Sequence, residues 1–382
     1  SVIVRIGLEV TAAVRQSGGI GRYVREMVHA LADVDQINQY SLFYASKYKA
    51  ARGMLALPDN FRIRHLPVHD IWLARIWQRI RLPVPVELIT GAVDIYHSPD
   101  FTLPPTLQGV PTLLTVHDLS FLRDPESASP GLRGYLEIAV KRSVRLATHV
   151  LADSQSTKDD LIELYSTPEN KITVLYPGVS SDFRPIIDPA KLRQVRKRYK
   201  LGEEPFVLSV GTLQPRKNHL TLIKAFELAL GDSEYNLVLA GGKGWSYEEV
   251  YDLVESRGLQ NRVLFPGFVA EEDLSALYSS ANIMTLPSLY EGFGLPVLEA
   301  MACGLPVIAS SVSSLPEVTG NAALLVDPGN VEDIADAILK LVENVDLRKK
   351  LRNKGFKRVE QFSWYASAKT LLGVYRDLAE HL

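Results

Sequence analysis

The sequence predicts two doubly wound α/β domains, and three observations carry that prediction. Short apolar runs alternate with longer amphipathic stretches almost throughout the 382 residues. The runs are hardly diluted by polar residues, as in strands of parallel sheets covered on both faces. The alternation also runs twice. It breaks between PGVSSDFRPIIDP (177–189) and EEPFVLSVG, where Pro and Gly cluster and the strand count restarts. At roughly 150 residues per domain, the length allows two or three.

In the first half the expected strands are 2–10, 40–45, 61–68, 93–99, 112–118, 149–154 and 172–178. In the second half they are 206–211, 236–242, 262–267, 282–288, 306–310 and 323–327. RYVREMVHALADV and HLTLIKAFELAL are the helical patterns between them, and FSWYASAKTLLGVYRDLAEHL closes the chain as a long amphipathic helix. The expected domains are 1–182, 183–362 and a terminal helix, 363–382, returning to the first. Such sheets bind ligands beyond the carboxyl ends of their strands. Many strands here end in Gly, His, Asp or Ser, so two domains facing each other would enclose a cleft.

Composition narrows the class. A formal net charge of -2 gives no global field toward nucleic acid. The one cysteine, Cys303, excludes an internal disulfide, and no Cys/His cluster suggests zinc. A reducing cytosol fits, and no apolar run reaches the roughly 20 residues a bilayer needs. The N-terminus reads as a strand and not as a signal peptide, and the missing initial Met suggests processing or a trimmed chain.

SLYEGFGLPVLEAMACGLPV (288–307) concentrates the chemistry. TLPS ends a strand, LYEGFG turns, and a short helix starts at Leu295-Pro296, where proline's missing N–H costs nothing. Gly304 and Pro306 end it. Gly292 and Gly294, with Phe293 between them, let the backbone approach a ligand. The N–H groups of Gly294 and Leu295 then form an anion site at the helix start. Glu299, one turn into the helix, could accept two hydroxyl hydrogen bonds. Glu291, before the turn, could reach the other end of the ligand. Acids that favour a helix dipole would explain Glu299, but not Glu291 with both glycines. GTLQPRKNH (211–219) supplies Arg216 and Lys217 after a strand-end glycine. Arg can fork onto phosphate oxygens and Lys can add a point charge.

These two stretches resemble the E-x7-E signature and phosphate loop of retaining GT-B glycosyltransferases of family 4. The resemblance continues through Y-P-G-V (176–179), F-P-G-F-V (265–269), L-P-E-V (315–318), L-V-D-P (325–328) and the terminal F-S-W-Y-A. It implies a GT-B fold, with an acceptor-side first domain and a nucleotide-sugar-binding second one, both Rossmann-like. It implies that Lys217 and the basic loop hold the diphosphate, Glu299 the ribose hydroxyls and Glu291 hydroxyls of the donor sugar. Phe268 and Val269 would flank the base. Many members have Arg directly after the loop glycine where this chain has Thr212, a contact that would fall to Arg216.

RQSGGIGRYVREM (15–27) is a glycine turn opening a helix, but Val24 stands where G-x-G-x-x-G needs its third glycine. GGKGWS fails likewise at Tyr247. A dinucleotide fingerprint is therefore absent. The family resemblance carries Gly19 and Gly21, with Arg22, to a loop facing the diphosphate and the acceptor. His117 and Asp118 end a strand. A lone strand-end His is usually structural, but the resemblance places His117 against the donor sugar and Asp118 beside an acceptor hydroxyl. In HDIWLARIWQRIRLPVPVEL (69–88), Trp72, Leu73, Ile76, Trp77 and Ile80 form a helical stripe with Arg75, Arg79 and Arg81 around it. One reading is peripheral contact with anionic lipid at the inner membrane face. The plainer one is a helix burying its Trp face on the sheet.

The expected enzyme is a cytoplasmic hexosyltransferase with no cofactor and no metal, because no metal-binding D-x-D stretch is read in the sequence. It takes a nucleotide-sugar donor, GDP-mannose first, and a glycan or lipid-linked acceptor. Retention follows from the family, and attack from the front face fits the lack of a clear nucleophile. The runner-up is a UDP-sugar (glucosyl or N-acetylglucosaminyl) transferase. A GT-B epimerase, a phosphorylase, a nicotinamide oxidoreductase and a non-catalytic binding module are weaker alternatives.

Overall fold

The computed structural model describes residues 3–50 and 56–380. Val2, His381 and Leu382, included in the expected first strand and last helix, lie outside the described residues. The chain forms two compact units. The first comprises Ser1–Leu119, Gly131–Gly178 and Ser363–Leu382; the second comprises Ser120–Pro130 and Val179–Phe362.

In the first unit the strands are β1 (Arg5–Glu9), β2 (Gln39–Ala45), β3 (Phe61–Leu66), β4 (Ile95–Ser98), β5 (Thr112–Val116), β6 (His149–Ala152) and β7 (Ile172–Val174). They form one sheet in the order β3-β2-β1-β4-β5-β6-β7, and every pairing is parallel. In the second unit β8 (Phe206–Val210), β9 (Asn236–Ala240), β10 (Val263–Gly267), β11 (Ile283–Leu286), β12 (Val307–Ser310) and β13 (Leu324–Val326) follow. Their order is β10-β9-β8-β11-β12-β13, again parallel. Each stretch read as a strand holds one of these, β2 beginning one residue earlier than read.

Alternation within the strands builds a core on each face of the second sheet. Phe206, Leu208, Val238 and Ala240 pack in one cluster with the helix Leu295–Ala302. Val207, Leu237 and Leu239 pack in the other with the helices His219–Leu230 and Val331–Glu343. In the first unit, Ile6, Leu8, Tyr23, Leu31 and Leu42 share a core with Trp364, Leu371 and Tyr375 of the terminal helix Trp364–Glu380. Tyr375 also hydrogen-bonds His97 Nδ1 of β4 at 2.7 Å. Burial drives the His97 pKa down to about 3, so this ring is neutral.

Both sheets reverse their strand order once, between β1 and β4 and between β8 and β11. At such a switch point, loops leave neighbouring strand ends in opposite directions and open a crevice. Each unit therefore has one preferred place for a ligand.

Three expectations need correction. The change of unit falls after Gly178, not after 182, and Ser120–Pro130 belongs to the second unit. Periodicity is blind to that excursion, because the segment is too short to show a period. The stretch 69–88 is not one helix. Asp70–Ala74 runs into a π turn, Arg75–Arg79, and Arg81 takes φ +59°. Pro83 and Pro85 then prevent helix up to the short turn Glu87–Thr90. Only Trp77 of the stripe is fully buried; Trp72 and Ile80 are 53% and 64% exposed. Finally, a D-x-D tripeptide does occur, Asp33-Val34-Asp35. It ends the helix Gly19–Val34, where Asp35 accepts hydrogen bonds from the N–H groups of Ile37 and Asn38 and from Tyr40 Oη. That is a helix-end turn. Among the described residues no cluster of three or more His, Cys, Asp or Glu side chains could hold a metal.

Candidate active site

The second switch point joins the two stretches that the sequence singles out. Arg216 and Lys217 lie in the turn after β8, and Glu291 lies in the turn after β11, its neighbour. Lys217 Nζ donates to Glu291 Oε1 at 2.5 Å, and Arg216 donates to Oε2 at 2.9 Å and to the Tyr290 carbonyl at 3.0 Å. Ser288 Oγ donates to Oε1 at 2.7 Å. Glu291 and Lys217 are buried. Burial alone would raise the Glu291 carboxyl. The charges of Lys217 and Arg216, with hydrogen bonds from Lys217 and Ser288, outweigh it and hold the group down at about 2. A buried carboxylate and two cations thus sit fixed in one corner.

The turn itself is built to stay put. Ser313 Oγ accepts from the Glu291 N–H, and Ser314 Oγ donates to the carbonyls of Glu291 and Phe293. Asn218, in the left-handed region at φ +60°, ties the Pro287 and Pro328 carbonyls together. Gly294 takes φ +98°, and a Cβ there would stand 2.6 Å from Leu315 Cδ2. Only glycine fits, and from it the helix Leu295–Ala302 begins. Its first N–H groups point out of the helix start beside Glu291. Gly292 and Phe293 are buried within this turn.

The remaining second-unit candidates are placed less uniformly. Glu299 is buried, with Tyr278 Oη donating to Oε2 at 2.8 Å. After β10, Val269 is turned into the core and Phe268 is 57% exposed, so of these two side chains only Phe268 is free to cover a flat ligand. Asp124 brings Ser120–Pro130 near the basic turn: burial raises its carboxyl, and Arg216 opposes this.

In the first unit the helix Gly19–Val34 opens at an exposed Gly19. Gly21 is required by close approach, because a Cβ would meet the Gln16 carbonyl oxygen at 2.0 Å. Arg22 is half-buried in the first turn. His117 directly follows β5 and is buried; Nδ1 meets Asp153 Oδ2 at 2.7 Å and Nε2 the Pro99 carbonyl at 2.6 Å. Burial disfavours the charged ring. The Asp153 charge and hydrogen bond, with Asp100 and the Pro99 carbonyl, overcome it and raise the pKa to about 9. His117 is therefore an imidazolium with both nitrogens engaged, a fixed cation and not a free base. Asp118 follows it, half-buried.

Two family models match the sequence: Glycosyltransferase Family 4 over residues 17–183, and Glycosyl transferases group 1 over residues 191–358. The O-antigen chain mannosyltransferase B of Escherichia coli is 32% identical over 384 aligned positions, covering 94% of this chain and 96% of that protein. The chain belongs to glycosyltransferase family 4. The serotype-specific mannosyltransferase WbdA of Escherichia coli is also 32% identical, over 71% of this glycosyltransferase and 34% of its own length. Among solved structures, sucrose-phosphate synthase from Thermosynechococcus elongatus superposes with a TM-score of 0.78 at 23% identity, covering 99% of this chain and 100% of that one. That likeness shows the GT-B fold.

Several residues of this glycosyltransferase escape sequence reasoning. Asp153 could have been suspected as a strand-end acid, but its pairing with His117 spans 36 residues. Ser288, Ser313 and Ser314 carry no signal beyond their presence in turns. Asn218 could have been found, because Asn tolerates the left-handed region.

Proposed function

We propose that this enzyme transfers mannose from GDP-mannose to a hydroxyl of a glycan or lipid-linked glycan, with retention and without a metal. One observation supports it above others: Lys217, Arg216 and Glu291 meet beside the N-terminus of Leu295–Ala302 at the switch point. The cations and helix N–H groups match the charge that develops on a departing diphosphate. Glu291 is held ionised to accept hydrogen bonds from donor-sugar hydroxyls, and Glu299 from the ribose. The bond from the anomeric carbon to the phosphate oxygen breaks, and the acceptor oxygen bonds to that carbon on the same face. The acceptor proton passes to the departing phosphate oxygen. His117 and Asp118 would line the sugar side. The near full-length mannosyltransferase relative favours mannose.

The test is transfer from GDP-mannose or UDP-glucose to a mannoside acceptor in EDTA, with the product linkage read by NMR. An α-linked mannoside is expected. Transfer from UDP-glucose alone, loss of activity in EDTA, or a β-product would each refute part of the proposal.

We further propose cytoplasmic action at the membrane face through residues 69–88. Trp72, Ile80 and Leu82 are exposed beside Arg75, Arg79 and Arg81, a pattern suited to an anionic interface. Among the described residues no helix is long and apolar enough to cross a membrane. Co-sedimentation with phosphatidylglycerol vesicles, lost in Trp72→Ser/Ile80→Ser, is expected; a wild-type protein that stays in the supernatant would end this reading.

A further inference from the structure

Glu299 has a partner that no local pattern in the sequence marks. Tyr278, on the helix Glu271–Ser280, donates from Oη to Glu299 Oε2 at 2.8 Å, and both side chains are buried. We propose that Tyr278 is a positioning residue: it sets the Glu299 carboxylate for the two hydroxyls of a ribose, and so makes the second unit select ribonucleotides over deoxyribonucleotides. This rests on the reading of Glu299 as the ribose acceptor, and adds the residue that fixes its geometry and the selectivity that follows.

Burial is the first argument. Tyr278 lies in an apolar cluster with Leu274, Leu277, Val297, Leu298 and Met301, the last three on the helix that carries Glu299. A carboxylate in such surroundings is costly, and replacing a buried polar pair by apolar groups of the same shape is often neutral or stabilising. A purely structural contact between these helices would be served as well by a phenylalanine and a leucine. The buried acid fits a ligand that brings hydroxyl donors. A carboxylate offers roughly four lone-pair sites, so one bond from a phenol still allows a vicinal diol. Glu299 also stands roughly 6 Å along the axis from the first helical residue, Leu295. A nucleotide with its phosphates at the helix start would bring its diol to that level.

The phenol is itself held. Phe183 meets its ring edge-on, with centroids 6.2 Å apart and planes at 68°. The segment that carries Phe183 is pinned to the same helix at two points. Ser275 Oγ donates to the Asp182 carbonyl at 2.8 Å, and the Ile186 N–H donates to Ser279 Oγ at 2.9 Å. These bonds bracket Tyr278 on the helix and Phe183 on the segment. A tyrosine ring turns about only two torsions, so a clamped ring fixes its hydroxyl, and the hydroxyl fixes Glu299 Oε2. An acceptor set in advance loses less on ordering when a ligand binds than one that rotates. All of these residues belong to the second unit.

The test is calorimetric titration of GDP, UDP and their 2′,3′-dideoxy forms into the whole protein and into Tyr278→Phe and Glu299→Gln. Wild type should bind the ribonucleotide of its preferred base roughly tenfold or more tightly than the dideoxy form, and Glu299→Gln should lose most of that preference. Tyr278→Phe should shrink it to roughly threefold or less, through weaker binding of the ribonucleotide alone, with the dideoxy form held as before. A tyrosine with only a structural role would lower the melting temperature and leave the preference intact, or weaken both forms alike; either result overturns the proposal. If Tyr278→Phe does not fold, Tyr278→4-fluorophenylalanine fills the para position without a donor, and the same loss of preference is expected. If Glu299→Gln loses the preference and the Tyr278 variant keeps it, the proposal falls alone. If wild type holds both forms equally, or binds no nucleotide, the ribose reading of Glu299 falls and the proposal with it.

Discussion

Glu291→Gln separates the two roles that Glu291 plays. The substitution preserves shape and removes charge. Its amide nitrogen then faces one of Lys217 Nζ and Arg216, donor against donor, and its oxygen accepts only from the other, where the carboxylate accepts from both. A carboxyl whose pKa falls from 4.5 to about 2 gains about 3 kcal/mol in its ionised form. Loss of that contribution should lower the melting temperature of a unit of this size by about 6–12 °C. The sign is fixed: the contribution is full above pH 4.5 and fades as pH falls toward 2, so the gap between wild type and variant should narrow on acidification. Donor binding should move the other way. With the charge of Glu291 gone, Lys217 and Arg216 are held less firmly by this partner, so GDP should bind at least as tightly. Turnover should nevertheless drop by about 10²–10³-fold, because the sugar hydroxyls lose their acceptor. Differential scanning fluorimetry, calorimetry with GDP and a transfer assay read the three effects. A variant that loses GDP affinity and melts lower, yet turns over normally once saturated, would refute the reasoning.

Other perturbations address separate parts of the account. Gly294→Ala forces an L side chain to φ +98° against Leu315 and should cost about 1–3 kcal/mol, with weaker diphosphate binding; unchanged stability would contradict the geometry. Asp153→Asn removes the partner that raises His117. In wild type that contribution is full below pH 6.5 and is lost as pH climbs through about 9, so melting temperature should fall over that window and the variant's should not. Tyr375→Phe leaves His97 Nδ1 without its 2.7 Å partner and should cost about 1–3 kcal/mol by chemical denaturation, confined to the unfolding of the first unit.

Strand positions were legible because most strands are apolar runs little diluted by polar residues, the edge strand β3 (FRIRHL) excepted, and the parallel class followed from that. The Arg216–Lys217–Glu291 corner was legible because both stretches sit at strand ends, and doubly wound sheets gather such ends. What stayed hidden was pairing across distance. Nothing local marks Asp153 as the partner of His117; sheet order joins them, and a single sequence does not state sheet order. The stripe in 69–88 misled because helical spacing persists through a π turn that periodicity does not register, and the prolines that end it lie beyond the stripe. Val269 was read as a base contact, yet its side chain fills the core while Phe268 beside it is exposed. Alternation beyond a strand end decides such cases, and the sequence leaves its phase open.

The most direct test of the central claim is calorimetric titration of GDP-mannose and UDP-glucose into wild type and Lys217→Ala without metal. The account predicts that GDP-mannose binds and that the variant binds it roughly tenfold or more weakly, since a charge-assisted bond to phosphate is lost. Binding of UDP-glucose alone would contradict the donor, and an affinity indifferent to Lys217 would contradict the assignment of the site.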